Sequence, residues 1–358
     1  MDLSLRKSKM ADSLRFPVAA VGLEHGHIVS MCSHLQDAGA QIVAVYDEDR
    51  RKVEEFRRVF RQVRVARSVE EILNDHRVRM VASAVVPARR TSLGVAVHRH
   101  EKHYFSAKPG FLSLQQSQAA RESVARSGLV WAVCYNERVE NEAAVRAGHL
   151  VADGAVGEVV QVIGLGPHRL AGSSRPGWFF DPGQSGGILV NLGCHQIEQI
   201  LAYTGSADAS ILHAATANHA ARDWSSFSDF GETALVTDTN GRGYCRVDWL
   251  TPDGLSTFGD GRAVILGTQG YIEVRKNIDP GVSTEDNILI VVDQIGEYRE
   301  TCRGTVGLPY FRALIDDCLN GTEWSMPQEH VFRVAELSIE AQELADRRRS
   351  TDNGSSMK

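Results

Sequence analysis

A chain of 358 residues, 43% hydrophobic and 23% charged, is long enough for two buried cores at roughly 150 residues each. Its net charge of −6 leaves no basic field for gripping a phosphate backbone, which excludes nucleic acid as a partner. No apolar run nears the ~20 residues that cross a bilayer and no signal-type stretch opens the chain, so a soluble, cytoplasmic protein without a membrane partner is expected.

After a polar leader, residues 17–21 read as a short apolar strand, and a glycine-containing turn leads into a helical pattern over about 28–38. A strand over 41–46, a charged helix over about 48–60, a helix near 69–73 and a buried-type strand over 80–86 follow. A helix near 91–101, the strand-like run 104–106, a helix near 114–125 and a strand over 130–135 continue the alternation, which implies a parallel sheet. The first domain is expected over 14–135 and the second over 136–350, with a connecting helix at about 141–152. From Gly157 the pattern changes to segments rich in β-branched residues at 159–165, 210–216, 232–237, 243–250, 262–266 and 271–275. One helix interrupts them at about 195–203 and two close the chain, near 308–319 and 329–345. The fold class is therefore α/β: an N-terminal domain on a parallel sheet, then an α+β domain with a large sheet that has antiparallel members. The six cysteines are widely spaced with no C-x-x-C pair, so reduced, buried thiols are expected rather than a zinc knuckle or a disulfide framework.

Three segments carry chemistry. Val21-Gly22-Leu23-Glu24-His25-Gly26-His27-Ile28 stands between a strand and a helix, where a G-x-G-x-x-G fingerprint would be. Gly22 suits the tight turn, Glu24 and His27 replace the second and third glycines, and Gly26 is left to admit a diphosphate at the helix N-terminus. Asp47 ends the second strand and suits a ribose diol, which favours NAD; Arg50 and Arg51 keep NADP open. A βα turn with no ligand is the plain alternative. Lys108-Pro109 lies just past the run 104–106, at the rim where open α/β sheets collect ligands, though most lysines are simply solvated. Finally, Gly186-Gly187-Ile188-Leu189-Val190-Asn191-Leu192-Gly193-Cys194-His195-Gln196-Ile197-Glu198 is the densest segment of the second half. A helix starting near 191–193 puts Asn191, His195 and Glu198 on one face, where a histidine can exchange a proton with a hydroxyl. The alternative is a helix-start histidine bonded to backbone, with Cys194 in the core. No metal is expected: His98, His100 and His103 point to different faces, and His25 and His27 have no carboxylate or cysteine set around them.

In this order the motifs resemble those of the Gfo/Idh/MocA oxidoreductases, named for glucose-fructose oxidoreductase, inositol dehydrogenase and a rhizopine-catabolism protein. Residues 16–47 match the family's first βαβ unit. Glu101-Lys102-His103-Tyr104-Phe105-Ser106-Ala107-Lys108-Pro109 resembles G-K-H-x-x-x-E-K-P, and Tyr135-Asn136 with Gly154-Ala155-Val156-Gly157-Glu158 resembles Y-N and G-x-x-G-x-[IV]. Residues 186–198 resemble G-G-x-x-x-D-x-G-x-H-x-x-D, so the likeness covers nearly the whole chain.

The resemblance implies an N-terminal Rossmann domain, a C-terminal domain whose large open, mostly antiparallel sheet forms a homo-dimer or homo-tetramer, a nicotinamide cofactor (NAD, with NADP open) and a sugar, cyclitol or related polyol substrate. By position it implies catalytic roles for Lys108, His195 and Asn191. It implies cofactor contacts at Gly22, Gly26, His27, Asp47, Val86, Lys108, Pro109 and Asn136. Substrate contacts are implied at His168, Arg175 and Trp178 as well as at Lys108, Asn191 and His195. The chain departs from the pattern at Ala107, in place of the glutamate of E-K-P, at Asn191, in place of the aspartate, and in the glycine fingerprint. Neither Ala107 nor Asn191 supplies an anion. These departures motivate two alternatives: a catalytically weak or inactive dinucleotide and sugar sensor of the same fold, and a redox-neutral NAD-dependent enzyme acting on glycosides.

Overall fold

The computed structural model describes residues 16–355; the leader and the first residues of the expected N-terminal domain lie outside the described residues. Six short runs form a fully parallel sheet: β1 (Phe16–Val21), β2 (Ala40–Tyr46), β3 (Arg64–Val65), β4 (Met80–Ser83), β5 (His103–Ala107) and β6 (Trp131–Cys134). Every residue of β4, β5 and β6 is buried, as in strands covered on both faces. The strand order β3-β2-β1-β4-β5-β6 is that of a Rossmann sheet, with its direction of growth reversing between β1 and β4. That reversal leaves a crevice beyond the carboxyl ends of those two strands.

Helices flank the sheet where the apolar period is 3.6. His27–Asp37 buries Ile28, Met31, Cys32 and Leu35, a single stripe. Arg50–Val59 buries only Val53 and Phe56 and begins on an Asp49 cap, whose carboxylate accepts from the Arg51 N–H. β4 stops at Ser83 instead of reaching Val86. The Ser83 hydroxyl accepts from the Val85 N–H at 3.3 Å, and Pro87, which has no N–H to give a ladder, opens a 3₁₀ turn. β3 was not anticipated, because two residues carry no period.

The chain divides into two compact units. One gathers the residues up to Ala107, Gln118–Cys134 and Pro309–Gln328; the other takes Lys108–Ser117, Tyr135–Leu308 and the chain from Glu329 on. The second unit is built on eight strands: β7 (Val159–Pro167), β8 (Ala209–Ala217), β9 (Phe230–Thr237), β10 (Arg242–Asp248), β11 (Arg262–Gly267), β12 (Tyr271–Arg275), β13 (Ile288–Val292) and β14 (Glu297–Thr301). Their order is β14-β13-β12-β11-β7-β10-β9-β8, and every neighbouring pair is antiparallel except β7 and β10. β7, β9 and β12 alternate buried and half-exposed residues, so one face is covered and the other open. The helix Cys194–Thr204 lies on the covered face. Gly164 and Gly166 of β7 let it approach, since a Cβ at either would stand 2.5 or 2.8 Å from the Gln196 amide. The last two strands extend the sheet beyond the anticipated segments; β14 is mostly exposed and shows no apolar alternation.

Gly94 sets the closeness of the helix Arg90–Arg99 to the parallel sheet. A Cβ there would lie 2.2 Å from Trp131 Cη2 and 2.6 Å from Tyr104 Cδ1. Both rings are fully buried, so neither can give way cheaply. Gly94→Ala is therefore expected to lower unfolding free energy by about 1–3 kcal/mol, read as a lower urea midpoint at unchanged slope.

Candidate functional site

The turn after β1 is held by the backbone. Gly22 N–H donates to Tyr46 O at 2.9 Å, and Gly22 O accepts from the Ala84 N–H at 3.1 Å. Gly22 has φ +74°, and a Cβ on it would stand 2.1 Å from Val85 Cγ1, so only glycine fits. Asp47, at the end of β2, accepts from the Leu23 N–H at 2.6 Å through one oxygen and from the Asp49 N–H at 2.8 Å through the other. Its carboxylate thus ties the turn to β2. Glu24 pairs with Lys52 at 2.7 Å. Gly26 itself gives the helix it introduces no side-chain cap, His25 Nδ1 accepts from the His27 N–H at 3.3 Å, the first turn has no acidic residue, and nothing lies within 4 Å of a Cβ placed on Gly26. His27 opens that helix with its ring stacked on His25 at 4.2 Å.

A cleft of about 310 Å³ opens here, lined among others by Gly22, Asp47, Val85 and Arg89. A helix N-terminus with no acidic residue in its first turn, beside a glycine turn, suits a diphosphate, and a carboxylate at the end of β2 suits a ribose diol. The donor set therefore fits a dinucleotide. Val86 is buried just beyond Val85 and does not line the cleft.

The second unit begins at Lys108, whose peptide bond to the buried Pro109 is cis. Lys108 is only 5% exposed, and its Nζ donates to the Asn191 backbone oxygen at 2.9 Å and to Asn191 Oδ1 at 3.0 Å. Asn191 can offer both oxygens because Leu189–Gly193 is a π turn, a form that recurs at functional sites. The helix Cys194–Thr204 follows directly, with His195 on its first turn, buried, its ring edge-on to Tyr135 at 6.5 Å. Asn136 opens the short helix Asn136–Val139; its Oδ1 is buried and has no hydrogen-bond partner among the described residues.

The next residue, Glu137, was not anticipated. Its Oε2 accepts from Lys276 Nζ at 2.6 Å and from Gln196 Nε2 at 2.7 Å. Burial pushes this carboxyl up, but the Lys276 ammonium, with His195 and His168, outweighs it and holds Glu137 well below the usual carboxylate range. His168 belongs to the same cluster. Its Nδ1 lies 3.1 Å from Gly166 O, and since a carbonyl only accepts, Nδ1 carries the proton and Nε2 is left an acceptor. Burial drives His168 down to about 4; Glu137 opposes the shift, and Lys108 and Lys276 add to it. His168 is therefore neutral at neutral pH.

Lys108, Asn191, His195 and His168 thus share one unit with Glu137, Gln196 and Lys276. Other anticipated residues are placed differently. Arg175 sits over Phe179, Trp249 and Phe258, 4.6, 5.2 and 5.6 Å from the ring centroids, and donates from Nε to Leu170 O. Trp178 packs, half-buried, on the cluster around Phe179. Glu198 is buried against Arg138 and His330. Trp249, rather than Trp178, lines a cavity of about 450 Å³ that opens at Asn191. No motif flagged Glu137 or Lys276. The available signal was a pair of glycines in β7, which make room for the glutamine that holds Glu137.

Residues 17–135 match the description "Oxidoreductase family, NAD-binding Rossmann fold", and 144–273 match "GFO/IDH/MocA C-terminal domain". The chain belongs to the GFO/IDH/MocA family. A candidate oxidoreductase of this fold from Erwinia carotovora atroseptica is 42% identical, with a TM-score of 0.90 over 92% of this chain and 99% of its own. A levoglucosan dehydrogenase solved with NADH and L-sorbose shares the fold at 15% identity, with a TM-score of 0.77 over 93% of this chain and 97% of that one. The scyllo-inositol 2-dehydrogenase (NADP(+)) of Bacillus subtilis is 23% identical over 158 residues, so the match spans 44% of each chain, under half the length of that curated relative. Among the described residues of this GFO/IDH/MocA chain, no helix is long and apolar enough to cross a membrane, and no group of three or more metal-ligating side chains is assembled.

Two buried histidines make the protein sensitive to mild acid. Burial lowers His168 and His103 from the ordinary 6.5 to about 4, so the unfolded chain binds more protons than the folded one between those values. Their contribution is present in full above pH 6.5 and is lost as pH falls toward 4. Urea unfolding is expected to show stability falling by roughly a few kcal/mol between about pH 7 and about pH 4.5, and His168→Asn is expected to reduce that loss.

Proposed function

We propose that this chain is an NAD-dependent oxidoreductase that moves hydride between the nicotinamide and a secondary alcohol or ketone of a sugar, cyclitol or related polyol. The observation that carries the reading is the buried Lys108 ammonium, anchored on both oxygens of Asn191 in the unit that also holds His195 and His168. When bound, the dinucleotide supplies the hydride acceptor or donor. The protein's own groups handle the oxygen and its proton. Lys108 Nζ donates to the reacting oxygen and stabilises the negative charge that grows there in the transition state. His195 takes or returns the proton. Asn191 cannot exchange a proton, so its part is to hold Nζ in place. His168, neutral and with Nε2 as acceptor, receives a hydrogen bond from a second hydroxyl. Outward-facing Leu266 and Tyr271, paired across β11 and β12 and exposed at 43% and 41%, support a homo-oligomer formed through the open sheet.

Cofactor preference follows from charge. Glu24, Asp47, Glu48 and Glu70 line the cleft of the first unit, with Arg89 the cation among its lining residues, and a 2′-phosphate would be repelled there. NAD is expected to be preferred over NADP by about tenfold or more in kcat/KM, where tenfold is about 1.4 kcal/mol. Asp47→Asn is expected to bring the ratio toward parity. Equal use of both cofactors by the unaltered protein would contradict this account.

Lys108→Met tests the chemistry. It is expected to lower kcat by about 10²–10⁴ on any polyol that yields NADH, while NADH binding, followed by its fluorescence, stays near that of the unaltered protein. Undiminished turnover would remove Lys108 from the mechanism.

A further inference from the structure

We propose that Glu137 is a substrate-binding carboxylate, its Oε1 accepting a hydrogen bond from a hydroxyl next to the reacting carbon, so that the pocket selects neutral, hydroxyl-rich substrates over acidic sugars. This rests on the oxidoreductase reading above. The two oxygens of Glu137 are in different situations. Oε2 is held by Lys276 Nζ and Gln196 Nε2 at 2.6 and 2.7 Å, both charge-assisted. Oε1 is buried and has no hydrogen-bond partner among the described residues. A buried acceptor with no donor is a cost that a ligand hydroxyl removes.

The surroundings fix where that donor must come from. Lys276 is 3% exposed, so it cannot swing away, and Gly164 and Gly166 leave the room that the Gln196 amide fills. The titratable groups facing Glu137 are Lys276 after β12, His195 on the helix Cys194–Thr204, His168 after β7 and Cys245 on β10. Two of these are the imidazoles assigned to substrate. Glu137 thus shares its surroundings with two of the groups assigned to the substrate. An incoming carboxylate there would meet a like charge.

The test compares the unaltered protein, Glu137→Gln and the double variant Glu137→Gln/Lys276→Met, which removes both charges together and so leaves no buried lysine unpaired. The probes are scyllo-inositol and levoglucosan with NAD, and monodeoxy analogues of whichever is oxidised. Both variants are expected to raise KM roughly 10- to 100-fold with a smaller change in kcat. Deleting the neighbouring hydroxyl is expected to penalise the unaltered protein but not the variants. Unchanged KM, or the same deoxy penalty in all three proteins, would overturn the assignment. Calorimetric titration of the same polyols into NAD-saturated protein separates this from the parent reading. Binding without turnover that is lost in the variants would uphold Glu137 and sink the oxidoreductase reading. No binding to the unaltered protein would sink both.

Discussion

A lysine buried to 5% exposure on two neutral oxygens is the constraint around which the second unit is arranged. Taking an ammonium out of water costs several kcal/mol, and a backbone carbonyl and an amide recover only part of it. Another buried charge of this unit, Glu137, stays ionised because the Lys276 ammonium beside it outweighs the desolvation. The π turn bears on the lysine directly. By breaking the regular helix it turns the Asn191 carbonyl and side chain to the same ammonium.

The nucleotide turn shows how little of a fingerprint is needed when the backbone carries the geometry. Gly22 is demanded by a positive φ and by Val85, but nothing comparable applies at Gly26, where a Cβ would meet open space. Glu24 and His27 are accommodated because one is paired with Lys52 and the other stacks on His25. Asp47 holds the turn through the Leu23 N–H, a task independent of any ligand. The first position of the motif is thus an architectural requirement here, and the later ones are a matter of what approaches the helix.

The parallel sheet was legible because strands buried on both faces leave continuous apolar runs, and the helices between them a clean 3.6 period. The second sheet was legible in kind, since alternation along β7, β9 and β12 marks one covered face. Its far edge was not, because an exposed strand such as β14 needs no apolar pattern to pair with β13. Lys108, Asn191 and His195 stood out in the sequence because they lie in motifs of fixed spacing. Glu137 and Lys276 did not, for a physical reason. They are 139 residues apart, and their pairing depends on β12 delivering Lys276 to the place where Gln196 leaves room beside β7. A charge pair formed by sheet topology has no local spacing to betray it.

Asn191 and Glu137 together change what the cluster can do with a proton. A carboxylate at position 191 would sit on the lysine itself, holding it charged and competing with substrate oxygen for its N–H groups. An amide offers the same two hydrogen-bonding positions without the charge, so Nζ is oriented but not neutralised. The anion has moved to position 137, where it faces the imidazoles and is already engaged by Lys276. On the proposed oxidoreductase reading, attraction for the substrate oxygen falls to Lys108, and the field facing the imidazoles to Glu137.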